Sequence, residues 1–478
     1  MTVMNATAAD AVIAVAWKDD LIPRLTEYIA IPALSPAFDP DWEATGHLVE
    51  AVDLIESWMR ACPVAGMVVS RQELPGRTPL LVAEIEPFGP QEANPSTTTV
   101  LYGHLDKQPE MEGWRPDLGP WKPVMEGTRL YGRGGADDGY AAFASLTAVR
   151  AVQEAGGSHG RLMVLIEASE ESGSPDLPAH VEALAADLGD VGLVICLDSG
   201  CANYDTLWLT TSLRGLVDGT LDITIVTEGL HSGSASGVVP STFRIARCLL
   251  DRIEDAETGA ILVESASVDI PGYRIDEAAA TAALLGDGAV EAVPYANGAG
   301  PMVTDPSEAL IARTWKPALS YTGIDGMPTT GLAGNVLRPR TALKLSLRIP
   351  PTADPHEVLA EMRTILEADP PYGATVTFGD SEAAPGWNAP DLAPWLRQAL
   401  DQASIAEFGQ SMQLYGEGGT IPFMGMLGDK FPAAQFVITG VLGPESNAHG
   451  PNEFLDVAYA ERLTCCLASV LDAATQAR

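Results

Sequence analysis

Runs of apolar residues and the polar stretches between them divide the chain into two textures. Residues 97–105, 162–168 and 191–197 are nearly continuous apolar segments bounded by Gly, Ser and acidic residues, which predicts buried strands. Residues 141–153 are Ala-rich with helical spacing and are followed by Gly156 and Gly157, which predicts a helix and its stop. Strands alternating with helices in this way predict an α/β domain with a largely parallel sheet. After Ser212 the pattern changes. Residues 221–226 and 342–349 alternate apolar with polar, 241–253 and 356–366 carry helical spacing, and 375–378 reads as a short strand. That β-α-β-α-β order predicts a compact α+β sandwich inserted into the first domain. The Gly-, Pro- and Ala-rich stretch 284–328 is expected to be a long loop with some local structure. From Ser381 the first texture returns. The expected plan is a discontinuous domain over 1–212 and 380–478, with an inserted domain over 213–379.

Composition narrows the class. At 478 residues, 46% hydrophobic and 19% charged, the chain has an ample core, and disorder is excluded as its main state. Lys and Arg number 28 against 64 Asp and Glu, a net charge of −36. Such a surface repels phosphate backbones and anionic lipid, so neither nucleic acid nor membrane is expected as a partner. No export signal is read in the first thirty residues, and no apolar run reaches the ~18–20 residues that span a bilayer. The six cysteines (Cys62, Cys196, Cys201, Cys248, Cys465, Cys466) form no C-x-x-C pair. They indicate neither a disulfide framework nor a thiolate zinc site, and fit reduced thiols in the cytoplasm. A metal would need His and carboxylate ligands.

Five short segments carry candidate chemistry. Gly103-His104-Leu105-Asp106 ends an apolar strand, and alternation puts His104 and Asp106 on one side. This suits a ligating imidazole oriented by a carboxylate; the bland reading is a histidine in a local hydrogen bond. Gly132-Arg133-Gly134-Gly135-Ala136-Asp137-Asp138-Gly139 opens the Ala141 helix. It lacks the Gly-Lys-Ser/Thr of a phosphate loop and offers two acids instead, Asp138 as a helix cap and Asp137 free to bind a cation. Glu170-Glu171 follows the next strand, where one acid can ligate while the other moves a proton. Asp198 again stands at a strand's C-terminal end, where ligands of open α/β sheets gather. Ala448-His449-Gly450 supplies a second imidazole in a polar loop.

Taken in this order, the segments resemble the M20 (ArgE/DapE-like) family of dinuclear metallopeptidases, and its carnosinase-like dipeptidase branch in particular. Further residues carry the resemblance: Lys107-Gln108-Pro109, Gly113-Trp114, Gly229-Leu230-His231-Ser232-Gly233, and Glu417-Gly418-Gly419-Thr420-Ile421-Pro422. The resemblance implies a catalytic domain holding two divalent metal ions per subunit and an inserted lid and dimerisation domain. Asp137 would bridge the metals, His104 and Asp198 completing one site, Glu171 and His449 the other. Glu170 would be the general base, Asp106 the orienter of His104, and His231 the lid histidine that polarises the scissile carbonyl. Arg348 would hold a substrate carboxylate, with Glu417, Gly418, Gly419 and Thr420 as a substrate-binding loop. In one departure, the family's Asp-Asp-Lys-Gly becomes Asp137-Asp138-Gly139-Tyr140, which bears on substrate fit more than on ligation.

Three carboxylates and a bridging hydroxide would balance two divalent cations. This donor set suits Zn²⁺, with Mn²⁺ or Co²⁺ as alternatives. The implied activity is hydrolysis of the amide bond of dipeptides or similarly short peptides by a metal-bridging hydroxide, in a cytoplasmic homodimer. An N-acyl-amino-acid deacylase or carboxypeptidase of the same family, and a non-enzymatic metal-binding protein on the same fold, are the rival readings. His47, His159, His180 and His356 lack matching acids and are read as surface or structural, and Trp114 and Trp121 as packing beneath the site loop.

Overall fold

The continuous apolar runs of the first half pair with one another. In the computed structural model, which describes residues 4–90, 97–291 and 295–475, Leu162–Glu167, Thr98–His104, Val191–Cys196 and Gln435–Ile438 are parallel neighbours in a six-stranded sheet. Leu80–Ile85 and Met67–Gln72 extend it antiparallel beyond Leu162–Glu167. The two central strands Thr98–His104 and Leu162–Glu167 are buried at every residue. Both faces are covered, so apolar runs are unbroken rather than alternating. The helix Tyr140–Glu154 is buried over most of its length and packs against the C-terminal helix Val457–Ala474.

Contacts divide the chain into two units. One comprises Met1–Thr210, Ala389–Leu414 and Met426–Arg478; the other comprises Thr211–Asn388 and Tyr415–Gly425. The segment ends read from sequence, 212 and 379, compare with 210 and 388 in this division. Tyr415–Gly425, expected with the first domain, groups with the second unit, where Gly418 and Thr420 bond to Arg214 and Arg348.

The second unit is built on four antiparallel strands in the order Ala318–Asp325, Arg340–Ile349, Gly215–Thr224, Thr375–Ala384. Buried and half-buried residues alternate along Gly215–Thr224, the mark of a sheet with one covered face. That face packs Val217, Leu221 and Leu345 against Ile245 and Leu249 of the helix Thr242–Leu250 and Val358 and Met362 of the helix Pro355–Glu367. The second unit is thus of α+β type and the first of α/β type.

Two local expectations are corrected. The stretch 284–328, expected as a long loop, contains the helix Pro306–Thr314 and the strand Ala318–Asp325, while 292–294 lie outside the described residues. The strand was hidden because it is an edge strand, exposed along nearly its whole length, and so shows no alternation. The strand read as 221–226 begins at Gly215. Its glycines look like turn signals, but a Cβ on Gly219 would lie 2.5 Å from the Phe378 ring, so Gly219 marks a close approach between strands.

Candidate metal centre

Neighbouring parallel strands deliver the acidic and imidazole groups to one sheet edge. His104 is the last residue of Thr98–His104, and the turn Glu170–Ser172 and Asp198 follow the C-terminal ends of the strands on either side. This is where an open α/β sheet gathers its ligands. Asp137 enters from the Gly-rich turn Gly135–Gly139 ahead of the helix Tyr140–Glu154, across a cis peptide bond from Asp138. His449 comes from a loop and sits in the left-handed region at φ +62°. Gly103 is required here, since a Cβ would lie 2.3 Å from Ala141 Cβ and 2.6 Å from Asp138 Oδ2.

Asp137 stands between the two imidazoles. Its Oδ1 is 3.3 Å from His104 Nε2 and its Oδ2 is 3.0 Å from His449 Nε2. Asp198 Oδ1 lies 3.7 Å from His104 Nε2, and Glu171 Oε2 lies 3.3 Å from His449 Nε2. Two triads result, His104–Asp137–Asp198 and Asp137–Glu171–His449, each with its ligand-type atoms within 4.8 Å of one another. They share Asp137, and His104, Asp137 and Asp198 are buried while His449 is exposed.

The preparation of His104 differs in detail from the expected one. Its Nδ1 donates to the Asp106 main-chain carbonyl at 3.1 Å, which leaves the Nε2 lone pair facing Asp137 and Asp198. The Asp106 carboxylate is 3.5 Å from Nδ1 and accepts instead from the main-chain N–H groups of Glu170 (3.1 Å) and Glu171 (2.9 Å). Asp106 therefore links the His104 loop to the turn carrying both glutamates. Asp138 does not cap the helix: its Oδ2 accepts from His104 N at 3.3 Å, and Gly139 is the cap residue.

Electrostatics fit a cation. Burial would lower the pKa of His449, but Asp137 and Glu171 raise it to about 11. Burial likewise opposes protonation of His104, yet Asp198, Asp106 and Asp137 raise its pKa well above the ordinary imidazole range. Burial and then the Asp198 charge push Glu170 well above the usual carboxyl range, and burial and Asp137 raise Glu171. A potential that draws protons onto both imidazoles draws divalent cations in their place. Hard carboxylate oxygens with imidazole nitrogens suit such ions. Asp10, Glu407 and Cys465 form another group within 4.8 Å, but burial pushes the Cys465 thiol well up, which makes it a poor ligand.

Several supporting residues went unassigned in the sequence. Buried Arg133 pairs with buried Glu453 and donates from Nη2 to the Gly450 carbonyl at 2.8 Å, while Gly134 N–H donates to Glu453 Oε1 at 2.8 Å. This joins the Asp137 turn to the His449 loop. Lys107, fully buried, donates to the carbonyls of Tyr28 and Ile31 at 2.7 Å each, and Tyr28 OH donates to the Leu105 carbonyl at 2.7 Å. Gln108 donates to Glu171 Oε2 at 2.6 Å. Trp114 packs against the Leu118–Tyr131–Phe454 cluster. Lys107 and Gln108 directly follow Gly103-His104-Leu105-Asp106, and a polar pair in that position was the available signal.

The remaining expected site residues belong to the second unit. His231 is exposed at the end of the two-residue strand Leu230–His231, and a Cβ on Gly233 would lie 2.9 Å from its ring. Arg348 Nη1 donates to Thr420 Oγ1 at 2.8 Å. Glu417 accepts a hydrogen bond from the Tyr415 hydroxyl, and Gly418 and Gly419 lie between it and Thr420.

The sequence profile of peptidase family M20/M25/M40 matches residues 100–473. The chain is 27% identical over 417 residues to a cysteinylglycine-S-conjugate dipeptidase of Corynebacterium striatum, covering 85% of this chain and 86% of that protein. It is 25% identical over 432 residues to the Beta-Ala-His dipeptidase of Mus musculus, covering 85% and 83% respectively. Its fold is similar to that of the dipeptidase Dug1p from Saccharomyces cerevisiae, with a TM-score of 0.77, 22% identity and 99% of each chain covered.

Proposed function

The chain belongs to peptidase family M20/M25/M40, and from that premise we propose that it is a metal-dependent hydrolase that cleaves the amide bond of dipeptides. The observation that carries this reading is the pair of triads sharing Asp137, with Glu170 next to Glu171 in the same turn. Similarity to dipeptidases over 85% of the chain supports the substrate class. We assign two divalent ions per subunit, Zn²⁺ first and Mn²⁺ or Co²⁺ as alternatives, to His104, Asp137, Asp198, Glu171 and His449. When bound, the ions would polarise the substrate carbonyl and lower the pKa of a shared water towards ~7.

The chain's own groups do the rest. Glu170, raised in pKa by its burial, takes the proton of the attacking water and returns it to the leaving amine. His231 donates to the developing oxyanion, a contribution worth ~10²–10³-fold in rate for a single donor. Arg348 holds the substrate's carboxylate, and Glu417 to Thr420 line its path. The second unit serves as lid and dimerisation element, and the protein works as a cytoplasmic homodimer. No helix among the described residues is long and apolar enough to cross a membrane.

The test is steady-state hydrolysis of a dipeptide panel by metal-reconstituted protein, with Glu170→Gln as the control. The wild type should cleave dipeptides and lose activity on chelation. Glu170→Gln should bind metal and lose at least ~10²-fold in kcat. Faster turnover of N-acetylated dipeptides than of free ones would overturn the dipeptidase assignment in favour of a deacylase.

A further inference from the structure

Three arginines of the second unit come together around one loop. Arg214 immediately precedes the strand Gly215–Thr224, Arg313 lies in the last turn of the helix Pro306–Thr314, and Arg348 stands opposite Leu216 in the strand Arg340–Ile349. They meet around Gly418–Thr420. Arg214 Nε donates to the Gly418 carbonyl at 3.2 Å, and Arg348 Nη1 donates to Thr420 Oγ1 at 2.8 Å. Thr420 in turn donates its hydroxyl proton to the Arg214 carbonyl at 2.5 Å. Gly418 lies between Arg214 and Arg313: a Cβ there would lie 3.0 Å from Arg214 Nη2, 3.1 Å from the Arg313 main-chain oxygen and 3.3 Å from Arg313 Cγ.

The charges are uncompensated. Arg214 is only 9% exposed, and burial followed by the charges of Arg348 and Arg313 pulls its pKa down to about 10. Among the described residues none of the three makes an ion pair with an acidic side chain, in a chain holding 64 acidic and 28 basic residues. The buried Ser212 hydroxyl also has no partner among the described residues, and a Cβ on Gly416 would lie 2.6 Å from it. A buried guanidinium such as that of Arg214 is normally paired, and its planar fork matches a carboxylate. A single substrate carboxylate on Arg348 would leave Arg214 and Arg313 repelling each other. A second one would offset half of their combined charge.

We propose that Arg214 and Arg313, beside Arg348, form a site for a second substrate carboxylate, so that the dipeptides cleaved best end in aspartate or glutamate. This rests on the dipeptidase reading and narrows its substrate class. Ala-Glu and Ala-Gln are nearly isosteric and differ in that charge. For the metal-loaded protein, kcat/KM should favour Ala-Glu over Ala-Gln by about ten- to a hundredfold, mainly through KM, with Ala-Lys poorer than both. Arg313→Gln and Arg214→Gln should each bring the Ala-Glu to Ala-Gln ratio close to one. Arg313 is exposed, so its variant carries the test if Arg214→Gln fails to fold. Equal kcat/KM for Ala-Glu and Ala-Gln in the wild type overturns the proposal. If no dipeptide is cleaved, the dipeptidase reading fails by itself. Calorimetric titration with glutarate and butyrate then decides this site: tighter glutarate binding that weakens in Arg313→Gln supports it, and indistinguishable binding overturns it.

Discussion

At the scale of single residues, Arg133 and Glu453 show how a site depends on groups that touch no substrate. The pair is fully buried, and its two ends reach the Asp137 turn and the His449 loop. Removing one member leaves a buried charge alone, which costs about 3–5 kcal/mol, whereas replacing both with neutral groups costs much less. Arg133→Met should therefore lower unfolding stability in urea by about that amount and weaken metal binding by roughly 10–100-fold. Arg133→Met/Glu453→Gln should recover part of the stability; a double variant no more stable than Arg133→Met would refute the ion-pair argument. The ligand-type residues were legible because each stands in a short local context, at a strand end or in a Gly-rich turn. Arg133 and Glu453 were not. They are 320 positions apart in sequence, and neither segment contains a sign of the other. Arg214 and Arg313 were illegible for the same reason, since only folding brings them to Arg348.

At the scale of elements, three of the four parallel strands (Thr98–His104, Leu162–Glu167 and Val191–Cys196) and the helix Tyr140–Glu154 were read to within a residue or two, because burial on both faces writes itself as continuous apolar sequence. The edge strand Ala318–Asp325 was missed because exposure leaves no such trace. Beyond the turn that follows Tyr140–Glu154, His159 pairs in an isolated bridge with Phe88, and its neighbours dictate its charge. His159 Nδ1 donates to the Gly160 carbonyl at 2.8 Å, so Nε2 must accept, and Gln153 Nε2 lies 2.9 Å from it. Gln153 cannot turn over, because its Oε1 accepts from Ala65 N and its Nε2 also donates to Ala65 O. Burial accordingly lowers the pKa of His159, only partly offset by the Gly160 carbonyl. The unfolded chain takes up a proton near the ordinary value of 6.5 and the folded chain resists it. Stability from this group is thus present above pH 6.5 and lost as pH falls below it. Thermal midpoints between pH 7.5 and 5.5 should drop less for His159→Asn than for the wild type. Parallel curves would show that His159 contributes nothing to the acid side.

At the scale of the whole molecule, the two units differ in what holds them together. All five residues assigned to metal belong to the unit formed by Met1–Thr210, Ala389–Leu414 and Met426–Arg478, and none to the other. The second unit has its own core, built from the Val217, Leu345 and Met362 cluster on one face of its sheet. A ligand stabilises only the folding unit that binds it, by RT ln(1 + [L]/Kd), which is about 2.7 kcal/mol at a free concentration one hundred times Kd. Calorimetric melting of the chelated and the metal-loaded protein should therefore resolve two transitions. One should rise by several degrees with metal, in proportion to the logarithm of its free concentration, and the other should stay in place. His449→Ala should reduce the shift, because it removes the imidazole of the triad that also contains Glu171. A single transition that moves as a whole would mean that the two units melt together, and the assignment of metal-linked stability to the first would fall.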